Sequence, residues 1–195
     1  MIKLYMMRHG STDYNKKGLY NGWTNTAINL EGYEQCIILK EKLLDIKFDK
    51  IITSTLDRTI KSAEIVSDNK AQLMILEELK EINFGIWEGM NYRDIEKQYP
   101  LEWEEWQRQW TSYNIPQGES FQGFYARVKL CFESLLKNCE NQCVLLVTHE
   151  GVMKVITTLL LNMKKEDFWH FSFDFGCYSY YEIYEDFCTI KKINC

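Results

Sequence analysis

The chain opens on an apolar run, Ile2 to Met7, that stops at Arg8-His9-Gly10-Ser11-Thr12. A continuous apolar segment that gives way at once to polar and small residues is the pattern of a buried strand running out into a loop. Past Glu31-Gly32 the period changes. Ile37, Ile38 and Leu44, with lysines and glutamates between them, predict an amphipathic helix to about Leu44. Lys50 to Thr53 predicts a short strand. Ser54-Thr55-Leu56-Asp57 then offers several capping side chains before a helix from Arg58 to Val66, whose Ile60, Ala63, Ile65 and Val66 make a core-facing stripe. Arg58 is thereby placed in a helix's first turn.

The alternation continues to the end of the chain. Leu73 to Leu76 predicts a strand, Asn91 to Tyr99 a helix, and Pro100 marks the start of another helix running to about Trp110. Residues 112–118 read as loop. Ser120 can cap a long helix through Leu136, and Cys143 to Val147 is a continuous apolar strand that ends at Thr148-His149-Glu150-Gly151. A helix from about Val152 to Leu161 follows. Tyr178 to Tyr184 and Cys188 to Ile193 predict two strands around a Glu185-Asp186 turn.

Strands alternating with helices predict an α/β three-layer sandwich with a mostly parallel central sheet, and the closing pair supplies an antiparallel edge. Ligands bind such sheets beyond the carboxyl ends of the strands. The turns carrying His9 and His149 fall there, as does the helix start carrying Arg58, so three separate segments can meet at one crevice.

Composition narrows the function. A chain of 195 residues, 46% hydrophobic, suits a single domain spanning 1–195 with a sizeable core. A net charge of -5 argues against nucleic acid or an acidic membrane surface as partner, since both call for a basic patch. The apolar start is too short for an export signal. The longest apolar stretch, Val152 to Met163, is interrupted by Lys154 and falls well short of the ~20 residues a membrane span needs. Seven cysteines without a Cys-x-x-Cys pair indicate neither a disulfide framework nor a zinc ribbon, so reduced thiols in a cytoplasm fit best.

Phosphoryl transfer needs cationic donors around the equatorial oxygens, an in-line nucleophile and a proton donor for the leaving oxygen. The strand-end residues offer all three. His9 can attack phosphorus as a neutral imidazole, and Arg8 and Arg58 supply forked, permanently charged donors. His149 can add a hydrogen bond from the other side. Glu81 is a carboxyl that a bound phosphate would push toward acid duty.

These residues fall into a pattern. Arg8-His9-Gly10-Ser11-Thr12-Asp13-Tyr14-Asn15 resembles the first signature of the histidine phosphatase, or phosphoglycerate mutase-like, superfamily. The segments Ser54 to Ala63, Glu81 to Gly89 and Val147 to Gly151 resemble its second-arginine, acid and second-histidine motifs, in that order. Thr55 stands where proline is usual and Lys61 where glutamine is common, and neither change removes a reacting group.

The resemblance implies a phosphohistidine at His9, a phosphate pocket of Arg8, Arg58 and His149, Glu81 as acid and base, a small phosphomonoester substrate, and no metal or other cofactor. It further implies that Asn15, the stretch Asn21-Gly22-Trp23-Thr24, and Glu150-Gly151 line the substrate side. Glu78 to Gly89, Pro116 to Phe121 with Ala126 to Val128, and Phe168 to Phe171 with Phe175 to Cys177 and Ile190 to Asn194 resemble one member of the family whose substrate carries an aromatic base.

An aromatic wall would suit such a substrate. Trp103, Trp106 and Trp110 recur at helical spacing over the region that covers the family's active site, where core packing explains at least two of them. Trp23 is the better stacking candidate. His170, beside Trp169 and Phe171 on an expected strand, belongs to no motif. Two rivals use the same residues: a mutase that returns the phosphoryl group to another hydroxyl, and a silent module that only docks phosphorylated ligands. Retention of His9, Glu81 and His149 together favours an enzyme.

Overall fold

The computed structural model describes residues 1–68, 72–185 and 187–195. Its centre is a six-stranded sheet of β1 (Ile2–Arg8), β2 (Lys50–Thr53), β3 (Leu73–Ile75), β4 (Cys143–Thr148), β5 (Tyr178–Ile183) and β6 (Cys188–Lys192), in the order β3-β2-β4-β1-β5-β6. The first four strands run parallel. β5 is antiparallel to β1, and β6 to β5, so the closing hairpin supplies the antiparallel edge expected of it. Asp186 of the expected turn between β5 and β6 lies outside the described residues.

Seven helices surround the sheet among the described residues: α1 (Asp13–Lys16), α2 (Leu30–Lys42), α3 (Asp57–Val66), α4 (Tyr92–Gln98), α5 (Pro100–Gln109), α6 (Phe121–Asn138) and α7 (Glu150–Leu160). The central strands are buried on both faces because their alternate side chains serve two cores. Leu4, Met6, Val144 and Leu146 point toward Phe124, Val128, Val155 and Ile156 of α6 and α7. Tyr5, Met7, Leu145 and Val147 point toward Cys36, Leu39, Ala63 and Val66 of α2 and α3. That division makes the three layers, and each fully buried aliphatic side chain contributes about 1.5–3 kcal/mol toward it.

A third, smaller cluster joins Trp87, Ile95, Trp103 and Ile115 beneath the segment that carries α4 and α5. Trp103 stacks on Trp106 at 5.0 Å and meets Trp87 edge-on at 5.8 Å, so the first tryptophan of the helical stripe is core, as its spacing suggested.

Three local expectations change. The helix carrying Arg58 has Leu56 as N-cap, and no side chain of 54–57 caps it; instead Asn25 Oδ1 accepts from the Asp57 N–H at 2.8 Å. A residue distant in sequence does the work that four neighbours had seemed placed to do. α7 starts at Glu150 rather than near Val152, with His149 as its N-cap. His170 ends a 3-10 turn, Lys165–His170, rather than sitting on a strand, because Asp167 Oδ2 accepts from the Lys164 N–H and closes the turn.

Candidate active site

β2, β4 and β1 lie side by side with their carboxyl ends in register, Thr53 opposite Val147 and Arg8 opposite Thr148. His9 and His149 therefore leave adjacent parallel strands at the same level, and their rings sit 5.2 Å apart. Ser54 leaves β2 beside them. The turn after β1 can lie this close to α2 because Gly10 and Gly32 meet face to face: a Cβ at Gly10 would stand 2.3 Å from the Gly32 carbonyl oxygen.

His9 is 4% exposed and His149 not exposed at all. His9 Nδ1 lies 2.8 Å from the Gly10 carbonyl, which can only accept, so Nδ1 carries the proton and Nε2 keeps its lone pair. Burial, then the charges of Arg58 and Arg8, hold the His9 pKa well below the usual histidine range. The ring is thus neutral and nucleophilic at neutral pH. His149 is shifted the same way, by burial first and then by Arg58, His9, Arg8 and Arg127.

Both arginines are anchored by carbonyls. Arg58 donates to the carbonyls of Thr24 (2.9 Å), Asn21 (3.2 Å) and Gly22 (2.6 Å), and its burial lowers its pKa to about 10, which leaves it charged at neutral pH. Arg8 donates to the Phe173 carbonyl at 2.7 Å, pairs with Glu150 at 2.8 Å and lies over the Phe175 ring at 3.5 Å. Arg8 Nε, Arg58 Nε and His149 Nδ1 are buried with no hydrogen-bond partner.

Glu81 faces them from the other side. Its carboxylate accepts from the N–H groups of Ile82 (2.9 Å) and of Gly151 (3.0 Å), the latter in the first turn of α7. Burial raises its pKa against those two hydrogen bonds. The early start of α7 matters here, and so does the glycine: a Cβ at Gly151 would stand 2.2 Å from Glu81 Oε1.

A cavity of about 350 Å³ opens here, lined at its polar end by Arg8, His9, Asn15, Asn21, Glu81, Glu150 and Gly151, while Arg58 and His149 are fully buried and are not on its wall. Asn15 and Asn21 are both on this wall. Asn15 also closes the N-terminus of α1, a helix the sequence reading did not contain, by accepting from Thr12. Gly22, Trp23 and Thr24 are not on the cavity wall. Their backbones serve Arg58 and the carboxylate of Glu88, which accepts from the N–H groups of Gly22, Trp23, Thr24 and Phe84 and from the Thr24 hydroxyl, at 2.7 to 3.1 Å.

Trp23 does not stack over the cavity. Its indole N–H is held by the Glu81 carbonyl at 2.9 Å, and the Lys80 ammonium covers its ring at 3.4 Å. The aromatic wall is built instead from Trp106, Trp110, Phe121, Phe168 and Trp169. His170, with its side chain 70% exposed, is not part of it.

Two residues of this arrangement escaped the sequence reading. Glu88 lies inside the acid motif, yet nothing in its neighbours reveals five donors arriving from two loops. Arg127 pairs with Glu119 at 2.6 Å and donates to the carbonyls of Glu78 and Lys80, which fixes the strand of chain bearing Glu81. The Pro116 to Phe121 and Ala126 to Val128 stretches signalled both ends of that pair, though not their contact.

A buried neutral imidazole, two charged arginines each with an unpartnered Nε, and a carboxyl opposite make a set that can bind a phosphate ester and take its phosphoryl group. Comparison with known proteins agrees. The sequence model of the histidine phosphatase superfamily (branch 1) matches residues 4–195. The chain is 34% identical to the adenosylcobalamin/alpha-ribazole phosphatase of Escherichia coli (strain K12), over 99% of this chain and 96% of that one. It is 30% identical to phosphoserine phosphatase 1 of Hydrogenobacter thermophilus, over 100% and 92%. Among solved structures, the alpha-ribazole phosphatase from Shigella flexneri superposes with a TM-score of 0.93 at 35% identity, covering 99% and 96%. The chain belongs to the histidine phosphatase superfamily. It is a phosphoric monoester hydrolase, and no described helix is long and apolar enough to cross a membrane.

Proposed function

We propose that this chain hydrolyses alpha-ribazole 5'-phosphate to alpha-ribazole in cobalamin biosynthesis, through a phosphohistidine at His9. The observation that carries the chemistry is the set of buried unpartnered atoms, Arg8 Nε, Arg58 Nε and His149 Nδ1, around the nucleophilic ring. Buried polar atoms without partners are costly, and phosphate oxygens would satisfy the two arginine atoms directly and His149 Nδ1 once that ring takes up a proton. Relatives named for alpha-ribazole and the aromatic end of the cavity support the substrate.

In the first step His9 Nε2 attacks phosphorus, the ester P–O bond breaks, and Glu81 gives its proton to the departing oxygen. In the second, water attacks phosphorus, the P–N bond breaks, and the Glu81 carboxylate takes the proton of that water. Inorganic phosphate leaves and both residues return to their starting states. Arg8, Arg58 and His149 hold the equatorial oxygens through both steps, where charge builds up.

Phosphate release from alpha-ribazole 5'-phosphate, measured beside 3-phosphoglycerate and an aryl phosphate with chelator present, tests the reading. A strong preference for the first is expected, along with a phosphorylated protein in acid-quenched samples that the His9→Ala variant fails to give. Equal, feeble rates on all three would sink the substrate, and turnover by His9→Ala would sink the mechanism.

A further inference from the structure

The end of the cavity away from His9 has no charge of its own except Lys154. Trp110 lies 4.6 Å from Phe121 and 5.5 Å from Trp169, and Phe121 lies 4.9 Å from Phe168. Trp169 remains 56% exposed, a large apolar surface kept at the edge of the cavity. Lys154 reaches into this wall with its side chain only 11% exposed, its ammonium 5.2 Å from the Phe168 ring and 5.4 Å from that of Trp169.

Lys154 is not free to greet an anion. Glu150, one turn earlier on α7, places Oε1 at 2.8 Å from its Nζ and Oε2 at 2.8 Å from Arg8 Nη1. One carboxylate thus stands between the phosphate end and the aromatic end and occupies the exposed charge of both cations. A leaving group with its own carboxylate or second phosphate would meet Glu150, in an apolar cleft where like charges are weakly screened. A neutral planar ring would meet a stacking wall, with Lys154 left to donate to an uncharged acceptor such as a sugar hydroxyl.

We propose that Glu150 is a charge filter, so that the subsite of Trp110, Phe121, Phe168, Trp169 and Lys154 accepts a neutral aromatic leaving group and turns away a second anion. This rests on the phosphatase reading above. It singles out Glu150 and Lys154 as specificity residues acting in opposite directions.

Two esters that differ only in charge isolate the effect: glycerol 3-phosphate and 3-phosphoglycerate, which exchange a hydroxymethyl group for a carboxylate. The parent protein is expected to favour glycerol 3-phosphate by about tenfold in kcat/KM. Glu150→Gln should erase or reverse that ratio, and Lys154→Met should widen it, since Glu150 then faces the subsite without its second cation. Trp169→Ala should lower the preference for alpha-ribazole 5'-phosphate over glycerol 3-phosphate by about tenfold, the loss falling in KM.

Because the readouts are ratios, a general loss from disturbing Arg8 does not imitate them. A parent protein that favours 3-phosphoglycerate, with that preference lost in Lys154→Met, would overturn the filter and make Lys154 an anion receptor. A ratio unmoved by Glu150→Gln would overturn it as well. Phosphate release from none of the esters would remove the phosphatase reading itself, and the filter with it.

Discussion

The two ends of the cavity are built by different means. At the phosphate end the side chains come from the ends of β1 and β4, the start of α3 and the segment bearing Glu81, and they are held by directed hydrogen bonds, to backbone for Arg8, His9, Arg58 and Glu81 and to the Ser54 hydroxyl for His149. At the aromatic end they come from the covering helix α5, from α6, α7 and a 3-10 turn, and they are held by ring packing. Directed bonds fix atoms to within a few tenths of an ångström, as in-line attack requires. Ring packing fixes a shape and tolerates change. Variants at the phosphate end should therefore slow every ester alike, or according to leaving-oxygen basicity, whereas variants at the aromatic end should reorder substrates.

The sharpest division comes from Glu81. Glu81→Gln cannot protonate a departing oxygen, and the expected fall in kcat/KM, which reports the first step alone, is about 10²–10⁴ for an alkyl ester such as alpha-ribazole 5'-phosphate. For a nitrophenyl ester, whose oxygen leaves without a proton, the fall should be far smaller. Rates for the two esters should thus converge, and an equal loss on both would remove Glu81 from the acid role.

The pH profile follows from the directions of the two shifts. His9 is held below the usual histidine range, so its neutral, active form survives into weakly acidic solution and is lost only as pH falls through that lowered value. Glu81 is held above the usual carboxyl range, so its protonated, active form extends upward from the acid side and is lost as pH rises. The first step should peak on the acid side of neutrality. Glu81→Gln should lose the alkaline limb and keep the acid one.

A smaller but uniform effect is expected from Glu88. Its two oxygens collect five donors from residues 22–24 and 84, and that loop in turn supplies the carbonyls that hold Arg58. Glu88→Gln turns one acceptor oxygen into an NH₂ group facing N–H donors. The loop should shift and carry Arg58 with it, costing about 10- to 100-fold in kcat/KM. The loss should be the same for aromatic and aliphatic esters. A change in their ratio would mean that Glu88 belongs to the aromatic end after all.

The same contrast explains what the sequence could disclose. Groups of the phosphate end sit in short runs at strand ends, so Arg8-His9-Gly10 and Thr148-His149-Glu150-Gly151 are legible, and the parallel order of strands brings them together. Glu88 and Asn25 act across 64 and 32 residues, and no local pattern encodes a contact at that range. The tryptophan stripe is ambiguous for another reason. Trp103, Trp106 and Trp110 recur at helical spacing, but Trp103 is buried in the Trp87 cluster, Trp106 touches both that cluster and the cavity, and Trp110 lies on the cavity beside Phe121. Alternation of large rings around His170 imitates a strand, while a side-chain-closed 3-10 turn satisfies the same spacing. Trp23 has a stacking residue's exposure, and only its tie to the Glu81 carbonyl shows that it props up the acid segment.

The smallest expected effect concerns Ser54, at the back of the phosphate end. The Leu56 carbonyl can only accept, so the Thr59 hydroxyl 2.8 Å away donates to it. Thr59 Oγ1 then accepts from the Ser54 hydroxyl at 2.7 Å, and Ser54 Oγ accepts from His149 Nε2 at 2.9 Å. The chain of donors assigns the His149 proton to Nε2 and leaves Nδ1 bare while the ring is neutral. With burial and four neighbouring cationic or imidazole groups holding its pKa down, His149 gains a proton at Nδ1 only when an anion arrives. Anion capture should therefore take up a proton. Sulfate, divalent throughout the working range, should inhibit more strongly as pH falls, with His9 and Glu81 contributing to the same trend. Ser54→Ala frees the ring to carry its proton on Nδ1, where it can donate to the anion without uptake. Sulfate inhibition should then depend less steeply on pH, and the loss of orientation should lower kcat/KM by about tenfold, the equivalent of one hydrogen bond. Nitrogen-15 spectra of the histidines report the tautomer directly. An Nδ1-protonated His149 in the parent protein, or an unaltered pH slope in the variant, would disconnect Ser54 from the phosphate end.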